Sequence, residues 1–230
     1  MEVAHCILSA VAVRKEPSHA SEMVNQLLFG DTVEILERRP EWLLTRALFD
    51  GYEGWVSDKQ LQTVVTMASS TFVVPTDNIA VVNGIRTIIP AGSCCPADML
   101  LLSSDAERKP VPTACRFLGT PYLWGGRTTM GIDCSGLIQV VYKICGITLP
   151  RDASQQAHCG SEVALSEARA GDLAFFLNNE GRIVHVGIIA GDGTIIHASG
   201  MVRRDRIDDK GIFNEERKEY SHKLFGIKRL

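Results

Sequence analysis

The 230-residue chain has no run of about eighteen apolar residues, so nothing in it reads as a membrane-spanning helix. It has no basic excess. With 24 Lys+Arg against 27 Asp+Glu and a net charge of −3, it carries no electrostatic footprint for nucleic acid. It lacks an acidic tail, internal repeats and low-complexity tracts, which excludes repeat arrays and largely disordered chains. It also lacks a positively charged leading segment. The apolar stretch of MEVAHCILSAVAVRKEPS is broken by His5 and Ser9, which is unlike a signal peptide, so a cytoplasmic location is expected. Seven cysteines make an odd set without framework spacing, and free thiols in a reducing compartment are expected. What remains is 45% hydrophobic and 22% charged, ordinary for a globular protein with room for two domains.

Three segments differ in texture. Over residues 1–62 short strands are predicted at Ile7–Val13, Thr32–Leu36, Trp42–Ala47 and Gly54–Ser57. They are rich in β-branched and aromatic residues and separated by turn signals such as Asp50-Gly51, which suggests a small β-barrel. Residues 63–110 form a connecting segment. There, IAVVNGIRTIIPAG places Asn83-Gly84 between two apolar runs, a strong hairpin signal, and SSDAERKP at 103–110 reads as a linker. From residue 111 the pattern becomes α+β: helical VPTACRFLG, glycine-rich PYLWGG, a helix from Asp133 to Cys145 stopped by Gly146, then successive strands.

Chemistry concentrates in that last segment. Asp133 suits an N-cap, which puts Cys134 in the first turn of a helix, where the dipole favours thiolate. The spacing 134, 138, 141, 145 places Cys134 at the end of one buried face. A small buried hydrophobe is the competing reading. A thiol nucleophile needs a base within hydrogen-bond reach and a partner that orients the base. His185 and His197 sit on the two arms of IVHVGIIAGDGTIIHAS. With the odd loop Gly191-Asp192-Gly193 they face the same side, directly or diagonally opposite, with Cβ atoms roughly 5 to 8 Å apart. Metal is not expected. Zinc ligands usually come in close pairs, whereas Cys94 and Cys95 are adjacent and the histidines lie twelve apart.

The ordered set PYLWGG, IDCSGL, LPRD, GDLAFF and HVGIIAGDGTIIHAS, spanning roughly 111–230, resembles the NlpC/P60 family of cysteine peptidases. The resemblance implies a papain-like fold that cuts peptidoglycan stem peptides without a cofactor. Cys134 would be the nucleophile, His185 the base, and His197 the residue that orients it. Tyr122 would be the tyrosine near the nucleophile that helps stabilise the oxyanion. LLFGDTVEIL and GYEGWVS in the N-terminal segment resemble a bacterial SH3 (SH3b) domain. The pairing is similar to γ-D-glutamyl-L-diamino acid endopeptidases, in which the β-domain leaves room only for an N-terminal L-Ala-γ-D-Glu.

That likeness implies that acidic and hydroxyl groups hold the substrate's free amine. Asp133 and Ser135 match such positions, Glu22 and Tyr52 are candidates from the SH3b side, and Asp152 of LPRD is a further substrate-binding candidate. The chain departs from the family where a serine often follows Arg-Asp. Here Ala153 stands in that place, with Ser154 next. The resulting expectation is a monomeric cytoplasmic peptidase that takes a murein stem peptide, with no nucleic-acid or membrane partner. The alternatives are an exported wall endopeptidase, an inactive wall-peptide binding module, or an acyltransferase or amidase on the same scaffold.

Overall fold

The computed structural model describes residues 2–64, 71–99, 101 and 106–230. These residues form two compact units. Met1–Ala106 and Trp124–Thr129 make the first, and Glu107–Leu123 and Met130–Leu230 the second.

In the first unit, strands β1 (Val3–His5), β2 (Ala10–Arg14), β3 (Met23–Leu28), β4 (Thr32–Arg39), β5 (Trp42–Ala47), β6 (Glu53–Ser57) and β7 (Gln62–Val64) form one antiparallel sheet. Its order is β3-β2-β6-β5-β4-β1-β7. Alternation sends Val11 and Val13 of β2 inward, where they pack with Ala4, Cys6, Leu27, Val33, Ala47 and Val56. Three of these strands, β1, β3 and β7, lie outside the predicted ones; β1 and β7 are only three residues each, and MVNQLL of β3 carries neither a β-branched run nor clean alternation. The strand expected at Ile7–Val13 begins only at Ala10, after a bend at which the Cys6 sulfur meets the Leu8 carbonyl oxygen at 3.3 Å.

Strands β8 (Thr71–Val73), β9 (Asn78–Val82), β10 (Ile85–Ile89) and β11 (Cys94–Pro96) pair as β8–β11 and as the hairpin β9–β10. The hairpin turns at Asn83 and Gly84, which both hold left-handed φ values (50° and 78°), as the tightest hairpin turns require. Val74, Ala80, Ile89 and Cys95 share a core with Phe29. The connecting segment thus extends the first unit. Residues 71–99 pack with the N-terminal sheet, and the division falls after residue 106. Part of the expected linker, 103–105, lies outside the described residues, as do 65–70. The segment containing β12 (Arg127–Thr128) also returns to the first unit. The buried Arg127 guanidinium donates to the Gln26 carbonyl at 2.7 Å and to Asp31 Oδ2 at 3.2 Å.

The second unit contains α1 (Pro110–Cys115), β13 (Gly131–Ile132), α2 (Cys134–Ile144) and α3 (Ala153–Gln156). Its strands are β14 (Ser161–Val163), β15 (Leu173–Leu177), β16 (Ile183–Ile189), β17 (Thr194–Ser199), β18 (Met201–Ile207), β19 (Gly211–Asn214) and β20 (Glu219–Arg229). They run in the order β14-β20-β15-β16-β17-β18-β19, and a further β19–β20 pairing closes six of them on themselves. Helix α2 packs on β16 and β17. All of its residues are buried, so the expected single buried face is in fact a helix enclosed on every side. Arg229 donates to both carboxylate oxygens of Asp172 at 2.8 and 2.7 Å, tying the end of β20 to the start of β15. No disulfide joins any of the seven cysteines. Among the described residues no helix is long and apolar enough to cross a membrane.

Gly30 gives the first unit a point at which stability can be tested. It holds φ +77°, and a Cβ there would lie 1.6 Å from the Cys94 carbonyl oxygen. Gly30→Ala is expected to cost more than about 2 kcal/mol, seen as a lower midpoint in urea unfolding.

Candidate active site

The β16–β17 hairpin pairs Gly187 with His197, so His185 lies one diagonal step from His197 on the same face. The two rings meet edge to face with centroids 5.0 Å apart, and His185 Nε2 lies 2.8 Å from His197 Nδ1. On its far side His197 Nε2 reaches Asp205 Oδ2 at 3.0 Å. Arg203 closes the line, donating from Nε to Asp205 Oδ2 at 2.7 Å and from Nη2 to Oδ1 at 3.0 Å. All three residues of the His185–His197–Asp205 line are buried.

The proton positions follow from the chemistry of the end group. Burial raises the Asp205 carboxyl pKa, but hydrogen bonds from His197 and Arg203 outweigh it and hold that pKa below the ordinary value. An ionised carboxylate only accepts, so His197 carries its proton on Nε2 and offers a lone pair at Nδ1. His185 must then donate from Nε2, which leaves the lone pair of its Nδ1 as the basic site. Burial, followed by the neighbouring His222 and His197, holds the His185 pKa well below the ordinary histidine value, so this base is neutral at neutral pH.

Cys134 is the first residue of α2, and its sulfur lies 3.9 Å from the carbonyl oxygen of Val184, the residue before His185. Burial pushes its thiol up to about 12, and the Asp133 carboxylate acts in the same direction. Backbone N–H groups of Val186 and Ser135 and the Arg151 cation oppose the shift. The expected dipole-stabilised thiolate is therefore overridden at rest: a dry, acid-flanked position costs a thiolate more than the helix N-terminus returns. The resting pair is thiol and neutral imidazole.

Asp133 caps α2 as expected, accepting from Gly136 N at 2.7 Å. It does much more besides. Arg151, itself buried, donates to Asp133 Oδ1 at 2.9 Å and to Oδ2, and to Ser135 Oγ at 2.8 Å. The two residues flanking Cys134 thus hold an internal ion pair, and the Asp133 carboxylate reserved for a substrate amine is already matched by a guanidinium. Asp152 is the N-cap of α3, with its backbone N–H directed at Gln155 Oε1 (3.4 Å). Ala153 is buried and Ser154 exposed. Tyr122 hydrogen-bonds through its backbone N–H to the Gly200 carbonyl at 2.9 Å. Burial, then the charges of Cys134 and Asp133, raise its phenol to about 12, so its hydroxyl stays protonated and able to donate. The remaining candidates belong to the first unit. Glu22 accepts from Trp124 Nε1 at 2.8 Å, and the Tyr52 backbone N–H donates to Asp50 Oδ1 at 3.0 Å.

Sequence reasoning missed Asp205, Arg203, Arg151 and His222. Asp205 was within reach. Strand β18 pairs Arg203 with His197, so Asp205 bears the same diagonal relation to His197 that His185 does. His222, on β20, stacks on His185 with centroids 4.1 Å apart and planes 22° apart. Burial, then the His197 imidazole, lowers its pKa to about 4. Only closure of the sheet brings it there. With His185 and His197 it forms a group of three imidazoles chemically able to ligate a metal.

Comparison with known proteins identifies the family. The NlpC/P60 family model matches residues 119–221, and the bacterial dipeptidyl-peptidase Sh3 domain matches residues 13–61. The γ-D-glutamyl-L-lysine dipeptidyl-peptidase of Bacillus subtilis (strain 168) is 30% identical over 210 residues, covering 75% of this chain and 71% of that one. The chain belongs to the NlpC/P60 family of cysteine peptidases. A Bacillus cereus (strain ATCC 10987) protein, also named γ-D-glutamyl-L-lysine dipeptidyl-peptidase, is 27% identical over 232 residues, 79% of this chain and 68% of its own. The crystal structure of an NlpC/P60 family protein from Bacillus cereus shares the fold, with a TM-score of 0.81 at 20% identity over 99% of both chains. Cys134, His185 and His197 all lie within the NlpC/P60 match, and the SH3 match lies within the first unit.

Two tests follow from the protonation pattern. A base with a lowered pKa needs acid to become charged, and a thiol with a raised one needs alkali to ionise. The difference in absorbance at 240 nm between wild type and Cys134→Ser should therefore show no thiolate at pH 7, with a rise only in strong alkali. A thiolate band already present at pH 7 would mean a resting ion pair. The second concerns His197. Asn can offer its amide oxygen to the His185 N–H, so His197→Asn should keep a measurable rate while His197→Ala loses about 10-fold more, read as kcat/KM. Equal loss in both would remove the orienting role.

Proposed function

We propose that this peptidase cleaves the bond between γ-D-glutamate and the diamino acid of murein stem peptides. It would take free peptides with an unblocked N-terminal L-Ala, in cytoplasmic cell-wall recycling, and act as a monomer. The observation that carries this reading is the buried Cys134/His185–His197–Asp205 arrangement, in a chain with an SH3 match of the bacterial dipeptidyl-peptidase type. The similarity to proteins named γ-D-glutamyl-L-lysine dipeptidyl-peptidase supports the choice of bond.

The mechanism follows from the proton positions. The Cys134 sulfur attacks the γ-carbonyl carbon of D-Glu while its proton passes to His185 Nδ1. The carbonyl oxygen gains negative charge and accepts a hydrogen bond from the Tyr122 hydroxyl, a type of contact worth about 10²–10³ in rate. His185, now an imidazolium, is stabilised through His197 by the Asp205 carboxylate. It returns its proton to the amine of the departing diamino acid as the C–N bond breaks. Water, deprotonated by the same Nδ1, then splits the thioester and frees L-Ala-γ-D-Glu. Asp133 and Ser135 hold the nucleophile's helix through Arg151. Asp133 and Ser135, with Glu22 and Tyr52, are the candidates for amine recognition.

The experiment is to incubate the protein with L-Ala-γ-D-Glu-meso-diaminopimelate, its lysine analogue and the N-acetylated forms, and to read products by mass. Free peptides should be cut and acetylated ones slowed by about 10² or more, because an acid left without its ammonium partner is costly. Cys134→Ala should abolish turnover, and Glu22→Gln should weaken cleavage of free peptides only. Equal rates on free and acetylated peptides would remove the amine pocket and favour an endopeptidase acting on intact wall.

A further inference from the structure

The strand that closes the sheet places a third imidazole where the peptidase chemistry needs none. His222 contributes no hydrogen bond to the His185–His197–Asp205 line, yet it stacks on His185 and lies with its centroid 5.8 Å from that of His197. Each of the three rings presents a nitrogen within 4.8 Å of the other two. Zinc takes imidazole nitrogens readily, and three protein ligands leave a position open for water.

We infer that His185, His197 and His222 form an inhibitory binding site for a zinc-class divalent cation, which switches the peptidase off without using its cysteine.

The surroundings fit that role. A histidine ligand usually donates its second ring N–H to a carboxylate, which fixes its tautomer and orientation. His197 does this, with Nε2 on Asp205 and Nδ1 turned toward His185. The Ser221 hydroxyl partners His222 Nδ1 at 2.8 Å, so Nε2 is the nitrogen left to bind. The stack between His185 and His222 has to open for one cation to lie near both ring planes. His222 has space for that tilt, because it borders a cavity of about 410 Å³ whose walls include Asn178, Asn179 and Lys223.

The inhibition is a tautomer change. With the cation on His185 Nε2, the proton of that nitrogen moves to Nδ1. Nδ1 then has no lone pair to accept the thiol proton, so Cys134 stays unactivated. No proton leaves the protein, whereas zinc held by a thiolate would release one.

The test uses zinc chloride on the full chain at about pH 6, below the range in which zinc-bound water ionises, with calorimetric titration in two buffers of different ionisation enthalpy. Cys134→Ser should bind one zinc ion as tightly as wild type, with no net proton release in either protein. His222→Gln and His222→Phe should each weaken binding by about 10²-fold or more, the phenyl ring keeping the stack so that one variant preserves the packing. Bound zinc should slow iodoacetamide alkylation of Cys134 in wild type, and a chelator should restore it. Three results would overturn the site: loss of binding in Cys134→Ser, release of one proton per zinc, or wild-type affinity in both His222 variants. None of these readouts involves a murein peptide, so the substrate assignment stands or falls separately.

Discussion

The Asp205 carboxylate is the fixed charge on which the site depends. Placed inside a sheet, it has two requirements: partners for its own oxygens, and ionisation. Arg203 supplies the first bidentately and thereby secures the second. A carboxylate that can only accept forces the proton of His197 onto one nitrogen, which forces that of His185 onto one nitrogen in turn. Two imidazoles alone have no such preference and could exchange donor and acceptor. The direction in which the imidazole of His185 faces is therefore set from two strands away, by an ion pair on β18.

A second buried ion pair holds the nucleophile. Arg151 grips Asp133 and Ser135, on either side of Cys134, and the same loop is laced to α2 by further amide contacts. Gln139 donates to the Leu149 carbonyl at 3.1 Å, and Gln156 to those of Ser135 at 3.0 Å and Pro150 at 2.9 Å. A guanidinium buried without this carboxylate would be costly, so the loop and the helix start are stable only together. The polar residues around the cysteine are in this sense mainly scaffold. The electrostatic consequence is that the sulfur sits beside an acid in a dry site, which favours the protonated thiol at rest.

Crowding of imidazoles has two effects. Burial, and then repulsion from any charge on His222 or His197, disfavours a positive charge on His185 and holds that imidazole neutral. The same crowding gathers lone pairs on rings held by outer hydrogen bonds. A buried neutral imidazole pair and a zinc-class cation site are closely related arrangements, separated by where a single proton resides.

Much of the second unit was legible in the sequence. Alternation and an odd loop place His185 and His197 on one face, and an acid before a helical run places Cys134 at a helix start. Both are local patterns carried by adjacent strands or a single turn. Asp205 was legible in principle, since it needs only one more antiparallel pairing. In the first unit the Asn83-Gly84 turn was clear, because both positions need left-handed φ. The boundaries were not, since Phe29 shares its core with Val74 and Ile89 and Arg127 docks on Asp31 from far along the chain. By itself the sequence determined the helix start at Cys134, the hairpin that carries His185 and His197, and the α+β texture of the second unit, because each rests on short-range periodicity. The tertiary structure alone decided the protonation of Cys134, the engagement of Asp133 by Arg151 and the arrival of His222. Burial and sheet closure set those, and neither is written in any local stretch of residues.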